Sequence, residues 1–255
     1  MSKEQPSDAV LTERRDGVLL ITLNRPEAMN AINGDLSHGL VAAIESLDND
    51  AALSAGVLTG NGRGFCAGMD LKAFAAGEDI GPMMTFIKNG SAKPLIGALE
   101  GFALAGGLEL ALTCDLLVAA KGIKLGIPEV GVGLFAAGGG LQRLPSRVGY
   151  GRAMEMAITG EPITSEEAAE TGLVSRLAEP GEAVEVALAL AARITKNAPL
   201  AVSASKQLIK AATHLPERHF YALQDELMGQ VFASRDAQEG PRAFAEKRPP
   251  EWIGQ

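Results

Sequence analysis

An α/β fold is what this sequence predicts, and three observations carry the expectation. Short apolar runs (18–23, 55–59, 95–100 and 115–120) alternate with segments whose apolar residues recur at helical spacing. Two of the glycine-rich turns follow such a run and open a helix-like segment, and the last third of the chain reads as helix alone. Alternation of this kind favours parallel strands joined by right-handed crossovers, with a ligand site at the loops leaving the carboxyl ends of the strands.

Taken in order, VLLITL at 18–23 is a strand stopped by Asn24-Arg25-Pro26, and 34–47 carries a helical stripe. A second strand, 55–59, runs into GNGRGFCAG. A third apolar run spans 95–100, a buried helix is expected at 107–114, and a fourth strand at 115–120. From about residue 150 the segments GRAMEMAITG, ITSEEAAETGL, 182–213 and 216–234 read as helices, with Ser165 as an N-cap ahead of Glu166 and Glu167. Asn197-Ala198-Pro199 interrupts them, which sets a division into a 1–199 core and a 200–255 helical region. The apolar stripes of 187–194 and 202–209 suit either the core or a subunit contact, the core being the default.

Composition narrows the function classes. In 255 residues, 47% are hydrophobic and 21% charged, so the chain can close a substantial interior and is not a disordered one. Acidic residues outnumber basic ones by 31 to 23, with no cluster of Lys and Arg interleaved with aromatics, so no nucleic-acid partner is expected. MSKEQPSDAVLTERR lacks the apolar core of a signal peptide, and no unbroken apolar run reaches about 18 residues; a cytoplasmic protein without a membrane partner is expected. Cys66 and Cys114 have neither zinc spacing nor a disulfide framework and read as buried thiols. His38, His214 and His219 have no metal-ligand companions and read as surface residues. Neither G-x-S-x-G nor a P-loop occurs, and the loose G-x-G-x-x-A at 131–136 follows Ile127-Pro128-Glu129 where a dinucleotide site needs a strand.

Two turns remain, GFCAGMDL at 64–71 and FALAGGLEL at 102–110. Such turns are either tight connections or places where exposed amides converge on an oxygen that becomes anionic. Glu109 stands inside a nearly continuous apolar stretch just after Gly106-Gly107, and an ionised carboxylate buried there without partners costs several kcal/mol. The amides and dipole of its own helix are one source of compensation. Glu129 follows in LGIPEVGVGL, again in apolar, glycine-rich surroundings. Each glutamate alone reads equally as a structural residue; the pair beside an oxyanion site can hold a water and move protons to and from carbon.

GFCAGMDL, then KPLIGALEGFALAGGLELALTCDLLVAA, GIPEVGVGLFAAGGGLQRLPSRVG and ITSEEAAETGLVSRL, with NRPEAMNAI before them and EGPRAFAEKRPPEW after, resemble the crotonase superfamily of enoyl-CoA hydratases and isomerases. The likeness runs from about residue 10 to the end, and the ending also resembles carnitinyl-CoA dehydratase-like members. It implies a crotonase (ClpP/crotonase-like) spiral of repeated ββα units with a helical C-terminal trimerisation or lid region. It implies an acyl-CoA thioester substrate, with coenzyme A part of that substrate and no separate cofactor or metal. The backbone N–H groups of Met69 and Gly106 would form the oxyanion hole. Glu109 would orient and deprotonate water, and Glu129 would exchange the proton at the α-carbon, as in hydratases; family isomerases often keep only the second. Arg25, Ala28, Ala67, Asp70 and Leu71 would touch substrate or CoA, Phe244 and Lys247 would flank its adenine, and a homotrimer or dimer of trimers is implied. Residues 72–92, with Met83, Met84, Phe86 and Ile87, are expected to face the acyl group or else to pack as an ordinary helix. Ala136 and Ala137 depart from the proline and glycine of many hydratases. The reading is an enoyl-CoA hydratase-like lyase; the alternatives are an isomerase of the same superfamily and a non-catalytic acyl-CoA-binding protein.

Overall fold

In the computed structural model, which describes residues 9–255, the chain begins with an antiparallel pair, β1 (Val10–Arg15) and β2 (Val18–Leu23). The signal-peptide reading at the extreme N-terminus falls partly on residues 1–8, outside the described residues. After a 3₁₀ turn at Pro26–Ala28 come α1 (Gly34–Asn49), β3 (Ala55–Gly60), α2 (Leu71–Ala76) and α3 (Gly81–Asn89). Next follow β4 (Leu95–Leu99), β5 (Phe102–Leu104), α4 (Gly106–Ala111), β6 (Leu116–Ala120) and β7 (Lys124–Gly126). A second 3₁₀ turn, Pro128–Val132, leads into α5 (Gly140–Val148), α6 (Tyr150–Thr159), β8 (Ile163–Thr164), α7 (Ser165–Glu170) and β9 (Arg176–Ala178). The chain ends in α8 (Ala183–Ile194), α9 (Pro199–Ala212), α10 (Glu217–Phe232) and α11 (Arg235–Glu246).

The main sheet has the order β1-β2-β3-β4-β6-β9, and from β2 onward every neighbouring pair is parallel. Its central strands are continuous apolar runs because both faces are covered, as parallel sheets require. One face packs on α8, where Ala183, Ala187 and Ala191 recur every fourth residue and let the helix lie close to Val57, Ile96 and Val118. The stripe on α8 is therefore core. That on α9 is not, since Val202 is half-buried and Ile209 exposed. The opposite face packs on α1, α3 and α4 in the larger core.

A second sheet, β5-β7-β8, gives the repeat its shape. Each unit runs along a main-sheet strand, turns, adds a short strand to the second sheet and enters a helix: β4, β5, α4, then β6, β7 and the turn to α5. Cys66 bridges in parallel to Ala103, so the residues after β3 form a further rung before α2. This is the expected spiral of ββα units. The rungs bring the segment before α2 beside the segment before α4, and that adjacency builds the site.

Some local expectations are corrected. The N-cap of α7 is Thr164, whose hydroxyl takes the Glu167 N–H while the Glu167 carboxylate takes the Thr164 N–H, a reciprocal box one residue before Ser165. The helices α8 and α9 break at 195–198, where Asn197-Ala198-Pro199 was expected to interrupt them. Beyond Pro199, α9 is tied to the rest by the Lys206–Asp115 ion pair at 2.7 Å, and the tail returns through Trp252, whose indole N–H donates to the Lys196 carbonyl at 2.8 Å. Cys66 and Cys114 are buried and unpaired. Among the described residues no helix is long and apolar enough to cross a membrane, and no group of three potential metal ligands gathers.

Candidate active site

The segment 68–70 runs alongside Ile32: the Ile32 N–H donates to the Gly68 carbonyl at 2.7 Å, and the Asp70 N–H donates to the Ile32 carbonyl at 3.0 Å. In a parallel bridge of this kind the intervening residue turns its own N–H away from its partner. The Met69 N–H is thereby directed outward. On the neighbouring rung, the Ala105 carbonyl accepts the N–H groups of Leu108 and Glu109 at 2.9 and 3.1 Å. Its peptide plane therefore points the Gly106 N–H the opposite way, free of the helix that it opens. Among the described residues neither N–H has a protein acceptor.

Both N–H groups follow a residue with positive φ, Gly68 at +101° and Ala105 at +50°. For an alanine this conformation costs about 1–3 kcal/mol and is retained where surrounding bonds over-determine it. Here the Ala105 N–H donates to the Gly126 carbonyl at 2.9 Å, which completes the clamp. The two turns nearly touch: a Cβ built on Gly68 would stand 3.1 Å from the Gly106 nitrogen, and one built on Gly106 would stand 3.7 Å from the Met69 nitrogen. A Cβ on Gly107 would lie 2.1 Å from the Cys66 carbonyl oxygen, so the close seating of α4 on the previous rung requires glycine there.

Glu109 is 4% exposed. Its compensation differs from the expectation that its own helix supplies it. The first-turn amides of α4 at Leu108 and Glu109 are taken by Ala105, and the side chain instead crosses to the start of α5, where Oε1 accepts the Gly140 N–H at 2.9 Å. Gly138 backs the same carboxylate closely, without a formed hydrogen bond. A Cβ on Gly138 would come within 2.7 Å of Glu109 Oε2. Burial lifts the Glu109 carboxyl above the usual glutamate value; the Gly140 N–H opposes this, the Glu129 charge adds to it, and Arg143 opposes it.

Glu129 sits in the second 3₁₀ turn, and its Oε2 is buried with no hydrogen-bond partner. Burial raises its carboxyl too. It stands at an apolar cavity of about 390 Å³ whose lining includes Ile127, Leu141, Leu144, Ala153, Met154 and Ile158. Ala136 also lines the cavity and is buried. Glu109 adjoins this cavity: a Cβ built on Gly140 would stand 3.1 Å from Glu109 Oε1 and 3.4 Å from the Cβ of Ala136, which lines the cavity with Glu129.

Residues expected at the CoA end fall into two groups. Arg25 bonds the Ala31 carbonyl and pairs with Asp70 at 3.1 Å, while Asp70 caps α2 through the N–H groups of Lys72 and Ala73. Ala28 lies in the first 3₁₀ turn, and the Ala67 N–H donates to the Met29 carbonyl at 3.1 Å, so these turns are laced together beside exposed Leu71. Phe244 and Lys247 stand apart at the end of α11, which packs on α10. Phe244, at 87% exposed, is no core residue. Of the two expectations for 72–92, α3 fits packing as an ordinary helix: Met83, Phe86 and Ile87 are buried in the main core with α1, and Met84 is half-exposed. Two contributors were not singled out from sequence. Asn30 is fully buried, with its amide donating to the carbonyls of Asn61, Gly64 and Phe65 at 2.9, 3.0 and 3.1 Å. The other is the Gly138–Gly140 cradle, whose only signal was the glycine run in AAGGGLQRL.

With that geometry in place, comparison with known proteins is informative. The family model described as enoyl-CoA hydratase/isomerase matches residues 13–255. A 2,3-dehydroadipyl-CoA hydratase of Escherichia coli is 38% identical over 251 residues, covering 96% of this chain and 98% of that protein. A carnitinyl-CoA dehydratase of Proteus mirabilis is 38% identical over 254 residues, covering 94% of this chain and 96% of that one. The crystal structure of an enoyl-CoA hydratase from Mycobacterium tuberculosis superposes with a TM-score of 0.95 at 52% identity, covering 98% of this chain and all of that one. The matches in sequence and in fold coincide along nearly the whole chain, and this protein belongs to the enoyl-CoA hydratase/isomerase family, with the crotonase fold.

Proposed function

We propose that this protein adds water across the double bond of a 2-trans-enoyl-CoA to give a 3-hydroxyacyl-CoA, or runs the reverse dehydration. The observation that carries the reading is a buried carboxyl, Glu109, on the helix that opens with the free Gly106 N–H, next to the cavity where the half-buried Glu129 keeps one buried oxygen without a partner. The thioester oxygen accepts from Met69 and Gly106. As water bonds to the β-carbon, electrons move onto that oxygen, and each donor aimed at the new charge contributes about 3–4 kcal/mol.

The surroundings of the two glutamates support separate roles. Burial raises Glu109 as well, but the Gly140 N–H and the nearby Arg143 charge offset part of that rise and favour its ionised form, so it is the carboxyl that takes the proton from water. Glu129 has an oxygen without a donor in an apolar setting, which favours the protonated acid that delivers a proton to the α-carbon. One proton leaves water and one reaches carbon, so no redox partner is needed, and the CoA moiety arrives with the substrate. The laced turns at 25–31 and 67–71 lie at the CoA end.

The reading extends to a cytoplasmic homotrimer or dimer of trimers. Supporting this are the unpaired thiols and the exposed apolar side chains of Phe135, Tyr150, Ile158, Ile209 and Phe232. Sedimentation at the mass of one chain would remove the oligomer. The chemistry is tested by turnover of a panel of 2-trans-enoyl-CoA esters in ¹⁸O-water. One label is expected in the product; a shifted double bond without label would make the chain an isomerase, and binding without loss of the conjugated thioester absorbance a non-catalytic binder.

A further inference from the structure

Arg143 lies in the first turn of α5, just beyond Gly140, whose N–H holds Glu109. Its backbone N–H closes that turn on the Gly139 carbonyl at 3.0 Å. Its guanidinium reaches back to the Gly138 carbonyl at 3.3 Å and across to the Ile87 carbonyl near the end of α3. A Cβ on Gly139 would lie 2.5 Å from Arg143 Nη1, so the group sits directly over this stretch of backbone. The carbonyl it binds belongs to the peptide between 138 and 139, next to the peptide whose Gly140 N–H grips the Glu109 carboxylate, and Gly138 itself lies against that carboxylate.

We propose that Arg143 is a positioning residue for hydration: by fixing the 138–139 peptide between α5 and α3, it sets the aim of the neighbouring Gly140 amide that holds Glu109. The inference rests on the hydratase reading, in which Glu109 is the base. Arg143 does not touch the reacting atoms. It acts through the backbone, and its charge adds a smaller effect on Glu109 in the same direction. The other charged groups facing this cluster are Glu129 from the 3₁₀ turn, Arg147 one turn further along α5 and Lys210 of α9. None of them bonds the 138–140 backbone. A planar fork can serve two carbonyls at once, which a lysine ammonium on a thinner stem does less well.

The test compares Arg143→Met, Arg143→Lys and Glu109→Gln in the full-length protein, reading kcat, KM and the pH profile of kcat with an enoyl-CoA. Arg143→Met is expected to lower kcat by about 10- to 100-fold with KM within about threefold, the signature of a step lost after binding. The acidic limb of its profile should move to higher pH, because losing a nearby cation makes Glu109 harder to ionise. Arg143→Lys keeps the charge, so its limb should stay in place, with a kcat loss of about 3- to 10-fold from the lost fork. Wild-type kcat and an unmoved limb in Arg143→Met would overturn the proposal. If that variant does not fold, wild-type kcat in Arg143→Lys would overturn it. Full activity of Glu109→Gln would instead overturn the hydratase reading beneath it, so the two failures are distinguishable.

Discussion

At Glu129, burial makes one side chain's contribution to stability depend on pH. Because burial raises its carboxyl, the folded chain holds that proton more tightly than the unfolded chain does. Its contribution to stability is therefore most favourable below the ordinary glutamate value and declines as pH rises through the raised one. Glu129→Gln removes the decline, so its melting temperature is expected to exceed that of the unaltered protein at pH 8 and to match it near pH 4. A variant less stable at pH 8 would contradict this. At the same scale, both glutamates were legible because a carboxylate in an apolar, glycine-rich stretch needs an explanation. What holds Glu109 was not legible. Its partner amide comes from Gly140, far along the chain, and only the fold brings it to α4.

Elements were readable in proportion to their burial. The strands β2, β3, β4 and β6 lie under helices and show as continuous apolar runs. The edge strand β1, VLTERR, is largely exposed and polar, and β5, β7, β8 and β9 have three residues or fewer, too short for a period to register. The helix α11 is capped by Ser234 and contains Pro241 and Gly240, whose residue types argue against helix in sequence; the serine cap on the Ala237 N–H and the pairing of Arg248 with Glu239 hold it. Met83, Phe86 and Ile87 taught the converse: apolar residues at helical spacing belong to the core unless something shows otherwise. At the rung between β5 and α4, Gly107→Ala is expected to push α4 off the Cys66 backbone. A loss of about 1–3 kcal/mol is expected in denaturant melts, with a fall in kcat as the Gly106 N–H shifts. An unchanged melt and turnover would mean that the contact is soft.

Across the whole molecule, the spiral matters because it stacks turns that are distant in sequence. The segments at 25–32, 64–70, 102–109 and 126–140 meet through bridges and single hydrogen bonds, and each supplies one part of the candidate site. The parallel architecture followed from alternation alone, whereas the spiral, the roles of the two N–H groups and the acyl-CoA substrate came from resemblance in the order and spacing of motifs. Surface apolar residues such as Phe232, Phe244 and Tyr150 carry no periodic signal that separates a subunit contact from a core, so the assembly was not readable from residues alone. The central claim is that the two carboxyls move the protons of hydration while the amides hold the ester, and its most direct test is the turnover of Glu109→Gln and Glu129→Gln beside their affinity for a non-reacting acyl-CoA. Each kcat is expected to fall by about a hundredfold or more with affinity largely retained; wild-type turnover in both variants would contradict the claim.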